Sequence, residues 1–122
     1  MRQQSATAHE LARVELLACL PGETLAVLGE RMVRQDVLPG QAVVAEGEYG
    51  DRFYVVLSGM LSVAQRARGE RRTLKPGDYF GEVGLVMDIP RTATVRALTP
   101  AVVASCDRPT FDELVRPVFS WD

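Results

Sequence analysis

From Val33 onward the chain is punctuated by turn signals about every eight to twelve residues, and this rhythm narrows the choice of folds more than any other feature. The signals are Pro39-Gly40, Glu46-Gly47, Gly50-Asp51, Gly59, Gly69 and Pro76-Gly77-Asp78. Strands are predicted between and beyond them at 33–38, 41–45, 52–57, 60–66, 71–74, 92–97 and 101–106. Evenly spaced short strands close into an antiparallel sandwich or barrel. A chain of 122 residues holds one such unit.

The stretch Gly81-Glu82-Val83-Gly84-Leu85-Val86-Met87 breaks the rhythm with too few turn residues for a simple loop, and predicts one short helix inserted in the barrel. Before Val33 the pattern is helical. Thr7 and Glu10 have capping-box spacing, with Leu11, Val14 and Leu17 following at helical intervals. Leu20-Pro21-Gly22 ends that helix, and a second starts with Pro21 in its first turn and runs through Leu25, Leu28 and Met32. After the last strand Asp107 caps a helix with Pro109 in its first turn and Phe111, Leu114 and Val115 on its apolar side; Pro117 ends it. The expected architecture is mainly β: an antiparallel β-roll of the jelly-roll type over 33–106, an N-terminal helical segment 1–32, and a C-terminal helix and tail 107–122.

Composition removes several classes of function. Net charge is −2 and no basic stripe forms, so the surface is not built for nucleic acid. No apolar span approaches the ~20 residues of a membrane helix, so direct membrane insertion is not expected. His9 is the only histidine and lies outside the barrel, which leaves no metal site of the cupin type and no Ser-His-Asp or Cys-His arrangement. Neither catalytic nor metal-binding residues are expected. Cys19 and Cys106 form no CxxC motif and read as small core residues in a reducing compartment. The expected setting is the cytoplasm, as a free protein or as the cytoplasmic part of a membrane protein.

The informative run is Phe80 to Val95. Gly81 and Gly84 allow close approach of the backbone to a ligand. Arg91, stiffened by Pro90 and opening a strand, presents a guanidinium fork that suits two oxygens of one phosphate. Glu82 supplies an acceptor for a sugar hydroxyl. Together they describe a site for an anion plus a ribose. The plain alternative is a surface ion pair between Glu82 and Arg91, worth about 0–1 kcal/mol.

The run FGEVGLVMDIPRTATVRA, Phe80 to Ala97, resembles the phosphate-binding cassette of the cyclic-nucleotide-binding domain family, whose usual form is FGE-x-A-L, a spacer, then PR-x-A-x-V. Pro39-Gly40, Glu46-Gly47-Glu48, Asp51, Phe53-Tyr54-x-Val56 and Gly59 fall in the family's order upstream, and the resemblance extends roughly from Leu16 to Leu114. It implies a cassette over 80–95 in which Glu82 binds the ribose 2′-hydroxyl and Arg91 the exocyclic phosphate oxygens. Backbone amides around Gly81, Gly84 and Leu85 would complete the cradle, with Val83, Thr92 and Ala93 also in contact and Val44 and Trp121 against the base. The implied ligand is cyclic AMP, or cyclic GMP, which a threonine in the place of Thr92 tolerates in this family.

Two departures stand out. Gly84 replaces the usual alanine, at a cost in helix propensity. The family also usually continues into a further helix that lids the base; here the chain stops at Asp122, leaving Phe119 or Trp121 as the aromatics that can stack there. The resemblance therefore implies a non-enzymatic regulatory module, attached to or partnered with an effector such as a channel, transporter, acyltransferase or hydrolase. The competing expectation is a degenerate module that keeps the fold as a protein-interaction scaffold and binds no nucleotide.

Overall fold

The computed structural model describes residues 6–119, except for the side chain of Arg71. Strands β1 (Val33–Val37), β8 (Ala101–Asp107), β3 (Arg52–Ser58) and β6 (Tyr79–Phe80) form one sheet in that order. The second sheet runs β2 (Ala42–Val44), β7 (Thr94–Ala97), β4 (Leu61–Gln65) and β5 (Gly69–Leu74). Every pairing is antiparallel. This is the β-roll expected from the turn rhythm. It adds a strand the sequence did not reveal, because β6 is two residues long and pairs only with Tyr54 and Val55.

β3 shows how one sequence serves two cores. Its apolar run Phe53-Tyr54-Val55-Val56 is buried throughout, and successive side chains point to opposite faces. Phe53 and Val55 pack with the helices, against Leu17, Leu28 and Phe111. Tyr54 and Val56 pack inside the roll, with Leu61, Leu74, Val95 and Val103. A strand covered on both faces reads as continuous rather than alternating hydrophobicity.

The helices differ from expectation in detail. The predicted N-terminal helix is a four-residue α1 (Ala8–Leu11) and a separate 3₁₀ turn (Glu15–Leu17), because Val14 takes an extended conformation between them. Leu11, Val14 and Leu17 are nonetheless all buried. Pro21 precedes α2 (Gly22–Arg31) as its N-cap rather than lying in its first turn. α3 (Glu82–Met87) is the inserted helix. At the C-terminus α4 (Arg108–Thr110) is capped by Asp107, whose carboxylate accepts from Thr110 N at 3.0 Å. It continues through a π-turn (Phe111–Val115) into a 3₁₀ turn (Arg116–Phe119). Pro117 therefore does not end the helix; near the start of that last turn its missing N–H costs little.

The N-terminal segment is fastened by one carboxylate. Glu10 completes the capping box with Thr7, accepting from Thr7 N at 3.1 Å, and both its oxygens accept from Arg34 Nη1 of β1 at 2.6 Å. Gly29 lets the pieces meet, since a Cβ there would lie 2.6 Å from Ala6 O. Burial works to raise the Glu10 pKa, but the hydrogen bonds from Arg34 and Thr7 outweigh it and hold the carboxyl below the ordinary glutamate range. A depressed native pKa contributes stability that is present above the unfolded value and is lost as pH falls through the folded one. Wild-type stability, followed by urea unfolding, should therefore decline between about pH 5 and pH 3 more steeply than that of Glu10→Gln. Identical slopes would show that this carboxylate does not fasten the segment.

Candidate functional site

β6 runs directly into α3 through Gly81, whose φ of 96° is easy only for glycine. A Cβ there would lie 2.9 Å from Arg52 O and 3.0 Å from Arg91 Nη1. At the other end of α3, Asp88 adopts a left-handed conformation (φ 53°) and turns the chain toward Pro90-Arg91. The Arg91 backbone is then fixed to the β2–β3 loop: its N donates to Glu48 O and its O accepts from Gly47 N, both at 2.8 Å.

The Arg91 side chain is the unusual feature. Arg91 as a whole residue is only 7% exposed, and its guanidinium meets backbone carbonyls rather than a carboxylate. Nη1 donates to Gly81 O at 2.9 Å and Nη2 to Arg52 O at 3.0 Å. Nε is buried without a hydrogen-bond partner. Burial pulls the guanidinium pKa below its ordinary value, against the opposing pull of Tyr54, Asp51 and Glu82, yet arginine stays charged at any physiological pH. A buried cation with an unused donor is costly unless an anion completes it. No ion pair joins Glu82 to Arg91 among the described residues, so the simple surface-pair reading is not what the structure contains.

Gly81, Glu82, Val83, Gly84, Arg91, Thr92, Ala93 and Val44 all line one cavity of about 160 Å³. Leu85 does not line it: the side chain is 1% exposed and packs beneath, in the core shared with Phe111 and Val115. Trp121 lies outside the described residues. Phe119 packs on Phe53, Tyr79 and Phe111, with ring centroids 5.6–6.4 Å apart across its contacts with them. That is a core position rather than one over the cavity. Drug-sized pockets usually start near 300 Å³. At about 160 Å³ this cavity is smaller than that.

Four further residues line the wall: Val63 and Arg72, which the sequence did not single out, and Phe80 and Val95, which it marked only as the ends of the cassette. The valines and Phe80 follow from strand alternation once the register is known. Arg72 stands opposite Val63 in the β4–β5 ladder, so both project to the same face. On an edge strand rich in arginine nothing in the sequence marks it out. Burial raises the Glu82 carboxyl pKa, opposed by the amides of Glu82 and Val83 and by the charges of Arg72 and Arg91. A half-buried acceptor between two cations and an apolar wall suits a neutral hydroxyl donor. A larger hollow of about 400 Å³ lies beside Glu10, Arg13 and Gly77, but its carboxylate is already taken by Arg34. Among the described residues no group of three His, Cys, Asp or Glu side chains is placed to hold a metal ion. Cys19 is exposed and Cys106 buried; both are free, and burial pushes the Cys106 thiol up to about 12.

Gly50 offers a test of the guanidinium's placement. A Cβ at this position would overlap Nη2, Nε and Cζ of Arg91. Gly50 has no positive φ, so alanine is tolerated by the backbone and the clash alone operates. We expect Gly50→Ala to displace the guanidinium from Gly81 O and Arg52 O. Thermal unfolding should then move modestly, by about 1–2 kcal/mol, while anion-dependent ligand affinity falls at least about tenfold. An unchanged affinity would place the guanidinium outside the binding surface.

The arrangement is that of a β-roll with a buried arginine and a half-buried carboxylate lining one small cavity. Residues 34–117 match the family model described as Cyclic nucleotide-binding domain. The chain belongs to that family. Over 109 residues it is 44% identical to the cAMP-dependent protein kinase regulatory subunit of Yarrowia lipolytica, covering 88% of this chain and 29% of that protein. It is 39% identical over 105 residues to a cGMP-dependent protein kinase of Eimeria tenella, covering 86% of this chain and 10% of that one. The regulatory domain of Toxoplasma gondii PKA, solved with cAMP, superposes with a TM-score of 0.85 at 28% identity, covering 91% of this chain and 44% of that one. The chain thus spans less than a third of the length of the curated relatives it matches.

Proposed function

We propose that this domain senses a purine 3′,5′-cyclic monophosphate and passes its occupancy to an effector without chemistry of its own. The observation that carries the reading is the buried Arg91 guanidinium beside the cavity, with Nε unused and no carboxylate in contact. The cyclic phosphate is taken by Arg91 and by backbone around Gly81, Gly84 and Leu85. Glu82 accepts from the ribose 2′-hydroxyl, while Val83, Thr92 and Ala93 flank the ring. Val44, Val63 and Val95 form the apolar floor toward the base. Residues 33–106 are the sensing unit, and 107–122 relay the change by a shift between two conformations of differing affinity. An intact Arg91 and Glu82 favour this over a ligand-free scaffold.

Cyclic AMP is the first reading, on the names of the similar regulatory subunits. Cyclic GMP is the second. Arg72 and Thr92 both line the cavity, and a guanidinium donates well to guanine O6 and N7 but not to the adenine amino group. By the same likeness the effector is a protein kinase catalytic unit, in the same polypeptide or as a partner, acting in the cytosol. No described helix is long and apolar enough to cross a membrane.

Calorimetric titration with cyclic AMP, cyclic GMP and 5′-AMP tests this. At least one cyclic nucleotide should bind at micromolar dissociation constant or tighter, about −8 kcal/mol, with 5′-AMP much weaker. Arg72→Ala should weaken cyclic GMP selectively if guanine is the base. Failure of both cyclic nucleotides to bind at about millimolar concentration would contradict the reading.

A further inference from the structure

α3 is gripped at both ends by guanidinium groups that donate to its backbone carbonyls. At its start Arg91 Nη1 donates to Gly81 O at 2.9 Å. At its far end Arg108 Nη1 donates to Leu85 O at 3.0 Å, and Arg108 Nη2 lies 3.6 Å from Asp88 Oδ1. Arg108 comes from elsewhere: it is the first residue of the C-terminal helix, behind the Asp107 cap. The last carbonyls of a helix carry partial negative charge, and an arginine can satisfy them. α3 has no glycine to end it and relies on Asp88, the one non-glycine residue with positive φ among those described. Six residues span only about 9 Å. A helix so short moves as a rod, so a shift at Gly81 is felt at Leu85.

We propose that Arg108 is a positioning residue that couples the anion site to the C-terminal helix through α3. When an anion engages the Arg91 guanidinium, the bond to Gly81 O is redrawn and α3 shifts. Arg108 carries that shift to residues 108–119 as a polar link beside the apolar contact of Leu85 with Phe111 and Val115. Arg108 lies outside the cavity wall, so its effect on the ligand is indirect. In this proposal the clasp is tighter in the anion-bound state, and because coupling is reciprocal, loosening it weakens binding.

The test rests on the proposed cyclic-nucleotide reading and compares the wild-type chain with Arg108→Ala, Arg108→Lys and Asp88→Asn. Dissociation constants for cyclic AMP and cyclic GMP come from calorimetry, amide hydrogen exchange is measured with and without nucleotide, and thermal unfolding confirms folding. In the wild type, nucleotide should change exchange in both 82–88 and 108–119. Arg108→Ala should bind about five- to tenfold more weakly and lose the ligand-dependent change in 108–119 while keeping that in 82–88. Arg108→Lys should recover part of that response, and Asp88→Asn should lie between it and wild type. A merely structural role for Arg108 would leave the ligand-dependent difference in 108–119 in place. Wild-type affinity and exchange response in Arg108→Ala, or no wild-type response in 108–119, would overturn the clasp. Absence of any nucleotide binding to the wild-type chain would instead overturn the reading of the cavity.

Discussion

Arg91→Ala is expected to lose about 30-fold to several-thousand-fold in cyclic-nucleotide affinity, because removing one partner of a buried charge contact costs about 2–5 kcal/mol. The reason is local. Arg91 as a whole residue is 7% exposed, and its Nε is buried without a partner. Substitution also leaves Gly81 O and Arg52 O without their donors, which should lower stability by about 1–3 kcal/mol. Calorimetry and thermal unfolding on the same sample separate the two effects. Arg91→Lys keeps the charge but cannot serve two carbonyls and a phosphate at once, so its affinity should fall between wild type and alanine. Undiminished affinity in Arg91→Ala would remove this residue from the phosphate site. A drop of only a few-fold would give most of the binding to the backbone of the cassette.

The second large effect concerns the joint between roll and helices. Phe53 is fully buried, with its ring centroid 5.3 Å from that of Phe111, 5.9 Å from Tyr79 and 6.4 Å from Phe119. It is therefore the point where β3 receives the C-terminal helix. Phe53→Ala is expected to cost about 3–5 kcal/mol, since the cavity left behind adds to the lost transfer energy. A domain holding only about 5–15 kcal/mol in total would feel that severely. Urea unfolding should show it as a shifted midpoint, whereas Val33→Ala, at a position 52% exposed, should change little. A loss below about 1 kcal/mol for Phe53→Ala would mean that the helix is held by other contacts.

Much of the molecule was legible in the chain because its devices are local. Gly40, Gly47, Gly59, Gly69 and Gly77 all have positive φ, so the turns announced themselves and seven of the strands followed. The Thr7–Glu10 capping box and the Asp107 cap act within four residues and were likewise visible. What escaped depends on tertiary partners. β6 is a strand only because β3 lies beside it. The extended conformation of Val14 breaks the N-terminal helix without any glycine or proline to signal it. Arg72 joins the cavity through the β4–β5 register, and the Leu85 side chain faces the helical core, which leaves only its backbone on the side of the cassette.

The cassette shows the same division. The types Gly81, Glu82 and Arg91 could be read from the sequence as a set suited to a phosphate and a sugar. That Arg91 would rest on the carbonyls of Gly81 and Arg52 could not, since any residue supplies a carbonyl. The clasp of Arg108 on Leu85 O spans 23 positions and is equally silent. Sequence names the chemistry here; the fold supplies its partners.

The most direct measurement is the crystal structure of this chain grown with cyclic AMP or cyclic GMP. Exocyclic phosphate oxygens are expected about 2.7–2.9 Å from the Arg91 guanidinium, with Glu82 accepting from the 2′-hydroxyl and the base toward Val44 and Arg72. A nucleotide bound elsewhere, with Arg91 still spent on Gly81 O and Arg52 O and no phosphate beside it, would contradict that claim.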